Sequence, residues 1–160
     1  MKRYYLLILL LLFVMSCKHT NEAPPVSYPE TAVGISNAGA YIVQDSIALR
    51  QEWGKALDKA GENYDLQNFK IEATTTSGDV KKQCFLLTAT ATDGKVKAAA
   101  ILLKKENSFY FDENNPATVM CISECTIGCL PTAIANANGT IRLVCSSCTT
   151  CSKTDVLLIF

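Results

Sequence analysis

Six cysteines stand in two triads near the C-terminus, Cys121, Cys125 and Cys129 at C-x3-C-x3-C and Cys145, Cys148 and Cys151 at C-x2-C-x2-C. Gly128 and Pro131, with β-branched Thr126 and Ile127, disfavour a long helix through the first triad. Between the triads, Asn138-Gly139 is a strong turn signal flanked by 133–137 and 140–144, which predicts a small hairpin holding the triads side by side. Bonds inside a triad are awkward in extended chain. Separations of three and four residues exceed the roughly 4.4–6.8 Å usual between bridged Cα atoms. Pairing across the triads is therefore preferred, which reduces fifteen possible full pairings to six. Each such bond would close a loop of roughly 15 to 30 residues, worth on the order of 3 kcal/mol in the chain-entropy account. Asn, Thr, Ser and Gly dominate this region and leave it little core of its own, so covalent staples answer a physical need.

A thiolate metal site is the alternative for Cys121, Cys125, Cys129, Cys145, Cys148 and Cys151, with zinc or copper as the ion. A tetrahedral zinc site drawing two sulfurs from each triad would leave two thiols over and contain no histidine. The C-x2-C-x2-C run is similar to the opening of a bacterial ferredoxin motif, but Asp155 and Val156 stand where the fourth cysteine and its proline belong. Disulfides are the preferred reading, with no cofactor. Cys84, apart from both triads, reads as a small buried hydrophobe.

The redox expectation rests on the N-terminus. Lys2 and Arg3 precede an apolar run from Tyr4 to Met15. Twelve residues are too few to cross roughly 30 Å of hydrocarbon as a helix, so the run reads as the core of a signal peptide. With Ser16-Cys17 closing it, the segment resembles the leader of a bacterial lipoprotein, similar to those of Bacteroidota envelopes, with Val14 and Met15 upstream of the cut. The resemblance implies cleavage before Cys17, acylation of that cysteine, and a lipid-anchored mature chain of 144 residues. It covers about the first 17 residues and says nothing of activity. The acidic stretch that often accompanies export to the outer face is replaced by Lys18, His19, Thr20, Asn21 and Glu22, so the expected location is the outer membrane, facing the periplasm. Such a compartment oxidises neighbouring thiols.

Residues 17–34, with Pro24, Pro25 and Pro29, read as a flexible tether carrying the lone histidine, His19. A short element over 38–43 precedes an amphipathic helix running from Asp45 or Ser46 to Gly61, with Leu49, Trp53, Ala56, Leu57 and Ala60 along one side. Strands follow over 66–76, 82–92, 95–105 and 108–111, with Ser77 to Asp79 and Asp93-Gly94 as turns. On the 95–105 strand, Val96, Ala98, Ala100 and Leu102 share one face while Ala99, Ile101 and Leu103 share the other, so both faces should be covered. Trp53, Phe85, Phe109 and Phe111 read as core, Tyr110 as pointing outward, and Asp112 and Glu113 as a solvated loop. A terminal strand is expected over 155–160. The fold class predicted is α+β: one amphipathic helix packed on an antiparallel β-meander (35–115), followed by a cysteine-rich hairpin extension (116–160) continuous with the same domain.

Charge and motif content narrow the function. Lys plus Arg equals Asp plus Glu at 15 each, and removing Lys2 and Arg3 leaves 13 basic side chains against 15 acidic. Such a balance gives no electrostatic footprint for nucleic acid. The only histidine lies in the tether, which removes serine–histidine and cysteine–histidine catalysis. No phosphate-cradling glycine loop or H-E-x-x-H occurs. The expectation is a non-enzymatic structural or interaction module of the cell envelope, held to the membrane by lipid, whose partner is another envelope protein or a glycan. The alternative is a soft-metal-binding lipoprotein.

Overall fold

The structure, a computed structural model, describes residues 31–123, 129–147 and 151–157. Strands β1 (Gly34–Asn37) and β2 (Ala40–Val43) form a hairpin, followed by helix α1 (Ser46–Lys59). Then come β3 (Leu66–Thr75), β4 (Ser77–Gly78), β5 (Gln83–Ala91), β6 (Val96–Lys105), β7 (Ser108–Phe111) and β8 (Ala117–Ile122). Strands β9 (Pro131–Ala135), β10 (Ile141–Cys145) and β11 (Ser152–Leu157) complete the chain.

Strand β6 organises the molecule. One edge pairs with β5, from Phe85 opposite Leu102 to Thr90 opposite Lys97. Its other edge is divided: Val96–Ala99 pair with β8, and Leu102–Lys105 pair with β7. β3 extends the sheet beyond β5, β1 and β2 extend it beyond β7, and β11 extends it beyond β8, giving eight antiparallel strands. A second sheet has β9 in the middle, antiparallel to β10 and parallel to the two-residue β4.

Because successive strand residues face opposite ways, the large sheet serves two cores. On one face, Val96, Ala98, Ala100 and Leu102 pack with Leu87, Ile71, Phe109 and Met120 under Leu49, Trp53 and Leu57 of α1. Burying each of the larger of these side chains stabilises the fold by about 1.5–3 kcal/mol. The helix begins where the Asp45 carboxylate accepts from the Ala48 amide at 2.8 Å. It ends at Gly61, whose φ of +78° lets the Glu62 amide return to the Leu57 carbonyl. On the opposite face, Cys84, Leu86, Ala99, Ile101, Val119 and Cys121 meet Ala133 and Leu143 of the second sheet, together with Cys129.

The α+β expectation is therefore corrected. Eleven strands and one helix of 14 residues stand among the described residues, so the fold is β-rich. Its large sheet is not a meander, since β6 has three ladder partners and β1 returns to β7. The missed strands β1, β4 and β8 are short and carry mostly small or β-branched residues, and β8 is covered on both faces, which erases the two-residue alternation that marks a half-buried strand. Ser77-Gly78, expected in a turn, is a strand of the second sheet. Asp93-Gly94 sits within a four-residue connection between β5 and β6 rather than forming a two-residue turn alone. Asp112, expected to be solvated, is buried at 7 % exposure. The order of the terminal segment also differs: β11 starts at Ser152, and 158–160 lie outside the described residues.

Candidate functional site

Among the described residues, two disulfides join the sheets. Cys121 on β8 is bonded to Cys145 at the end of β10, with Cα atoms 5.5 Å apart. Cys129, just before β9, is bonded to Cys151, just before β11, with Cα atoms 5.9 Å apart. Both run from the first triad to the second. Cys121 and Cys129 are fully buried, whereas Cys145 and Cys151 are half-buried against the same core. Cys125 and Cys148 lie outside the described residues, as do Cys17, His19 and Glu124.

The local sequence explains the approach. β9 and β10 are held in register by a turn in which the Gly139 amide donates to the Asn136 carbonyl and the Asn136 amide to the Thr140 carbonyl. Gly139 has φ +82°, and Lys82 Nζ donates to its carbonyl at 3.0 Å, tying the hairpin to β5's approach. At the other end, the Leu130 amide donates to Ser146 Oγ at 2.9 Å while the Ser146 amide donates to the Leu130 carbonyl, so the segments carrying Cys129 and Cys145 are clamped beside each other.

Four triad sulfurs are thus consumed in bonds and offer no thiolate to a metal. Cys84 is the free thiol among the described cysteines. It is buried at 6 % exposure in the inter-sheet core, and burial pushes its pKa up, so it stays protonated and unreactive near neutrality.

Along the same seam the sheets part into a cleft of about 310 Å³. It is lined by the apolar residues Ile101, Ala117, Val119 and Leu143, by Arg142, Lys153 and Asp155, and by Asn114, Asn115 and Pro116. Val119 and Leu143 are each two residues from a bonded cysteine, so the Cys121–Cys145 bond sets the separation of the walls. Asp112 orders the loop that carries Asn114 and Asn115. Its amide donates to the Ile101 carbonyl, and its carboxylate accepts from the Asn114 amide at 3.0 Å and from Asn115 Nδ2 at 2.6 Å. The cleft was illegible in the sequence, because it joins residues from four separated segments whose only local signal was the 112–116 breaker run.

Comparison with protein families, curated proteins and solved structures finds no match for this chain.

Proposed function

We propose that this chain is a lipid-anchored protein of the bacterial cell envelope whose folded part is a non-catalytic, disulfide-stapled interaction module. The pair of inter-sheet disulfides carries this reading, since bonded sulfurs persist in compartments outside the reducing cytosol. The apolar leader closing on Ser16-Cys17 supports export and anchoring through an acylated Cys17, with the outer membrane facing the periplasm as the destination. Apolar side chains left exposed on β2 and at the start of α1, Ile42 at 46 % and Ile47 at 70 %, support the interaction role as surface for contact with another envelope protein. A glycan is the alternative partner.

Intact mass of the mature protein tests the reading. The expected species starts at Cys17 with acyl chains attached, and alkylation without reductant leaves all six triad cysteines unmodified. A soluble, unacylated chain that retains its leader would overturn the anchor. Six alkylatable triad thiols with stoichiometric zinc or copper would overturn the stapled module in favour of a soft-metal protein.

A further inference from the structure

We propose that β11 is a self-association edge: two copies of this chain pair β11 with β11, antiparallel across a two-fold axis, with Lys153 of one copy opposite Asp155 of the other. This goes beyond the contact surface of Ile42 and Ile47 and needs neither that surface nor the lipid anchor. β11 stands at one end of the strand order of the large sheet, with β8 on one side and, among the described residues, no strand on the other. At the far end of the order β2 packs beside β3, so that end is not open in the same way. Ser152, Lys153 and Asp155 are exposed, as an open edge requires.

The ladder fixes which backbone groups face outward. The Ser123 amide donates to the Lys95 carbonyl at 3.0 Å, one step beyond the pair Val96 and Ile122, so in the antiparallel alternation Val119 and Cys121 of β8 bond β6. Thr118, Met120 and Ile122 then bond β11, through Val156, Thr154 and Ser152 opposite them. The amides and carbonyls of Lys153 and Asp155 are thereby left on the open edge. Two such edges exchange hydrogen bonds only where these outward residues meet. An axis centred on Lys153 or on Asp155 sets like charges directly opposite, which is unfavourable. An axis centred on Thr154 places Lys153 against the partner's Asp155 twice and sets the two Thr154 residues against each other, and both kinds of pair are favourable. Within one copy Lys153 Nζ already lies 2.8 Å from Asp155 Oδ2, so the pairing gathers two cations and two carboxylates into one alternating cluster on one face of the joined sheet. The isologous arrangement closes at two copies, which uses up the edge instead of propagating it.

Sedimentation equilibrium of the purified mature chain in density-matched detergent tests the pairing. The expected result is a reversible equilibrium between monomer and dimer. Asp155→Lys and Lys153→Asp should each weaken dimerisation by about tenfold or more, because each sets like charges opposite one another twice. An equimolar mixture of the two variants should recover the parent affinity as a heterodimer, since every opposed pair is then of unlike sign. Lys59→Gln, on the exposed side of α1, should change nothing. Hydrogen exchange on the parent chain reads the same register if a variant fails to fold: the Lys153 and Asp155 amides should exchange fast in dilute solution and become protected as the concentration rises. A chain that stays monomeric at its highest soluble concentration, a dimer that both variants leave intact, a mixture no more associated than its components, or amides whose exchange is independent of concentration would overturn the proposal.

Discussion

Trp53 shows how a single side chain can dominate one core and still be partly dispensable. It is 1 % exposed and meets Phe69 edge-on at 5.2 Å between ring centroids. Its indole Nε1 has no hydrogen-bond partner among the described residues. Trp53→Ala should therefore destabilise the fold by about 3–5 kcal/mol through the cavity left behind. Trp53→Phe gives up no hydrogen bond and should cost less than half of that, a difference readable in urea melts. Asp65 makes a different kind of prediction. Arg50, on α1, donates from both Nε and Nη2 to its carboxylate, and Gln67 adds a third donor, which together hold the Asp65 pKa below the ordinary 3.8. A carboxylate with a depressed folded pKa contributes stability above its unfolded value, and that contribution is lost as pH falls through the folded value. Asp65→Asn should flatten the pH dependence of stability below about pH 4, and an NMR titration of the Asp65 carboxyl should show its midpoint lowered. No local pattern in the sequence marks Arg50 and Asp65 as partners, since the pair spans fifteen positions and needs the helix to fold back on β3.

Among the elements, the second sheet depends most on covalent help. Among the described residues its buried core consists of Cys84, Leu86, Ala99, Ile101, Val119, Ala133, Leu143 and cystine sulfur, without an aromatic ring. Replacing both Cys121 and Cys145 by alanine reopens a loop set by a sequence separation of 24. The loss should be roughly 3 kcal/mol in the chain-entropy account, or a fall in Tm of about 10 °C. Strand β4 is equally sensitive. Gly78 has φ +94°, and a Cβ there would come within 2.6 Å of the Ala135 carbonyl oxygen. Gly78→Ala should detach β4 from β9 and lower stability by about 2 kcal/mol. Element types were largely legible from α1 to β7, where helical spacing and two-residue alternation are strong. The hairpin around Asn138-Gly139 was legible as well. β1, β4 and β8 were not, because strand identity there comes from ladder partners distant in sequence.

At the scale of the molecule, β5, β6 and β8 are shared walls of both cores, so the two faces should unfold together while the disulfides are intact. Reduction should break that coincidence. With the staples open, the inter-sheet core loosens first, and Cys84 should become alkylatable at a urea concentration that leaves Trp53 fluorescence native-like. Coincident exposure of Cys84 and Trp53 after reduction would show that the two cores stand on equal footing. The sequence by itself determined the apolar run from Tyr4 to Met15 ahead of Ser16-Cys17, the helix with its stripe of Leu49, Trp53 and Leu57, the two-sided burial of β6 and the concentration of sulfur in two triads. Those are properties of neighbours along the chain, set by spacing, charge and local backbone preference. Only the tertiary structure decided that the fold is β-rich with two sheets, that Cys121 joins Cys145 and Cys129 joins Cys151, and that Asp112 is buried. Each of those depends on which distant segments satisfy one another's hydrogen bonds and bury one another's faces, and periodicity within a segment carries no record of its partner.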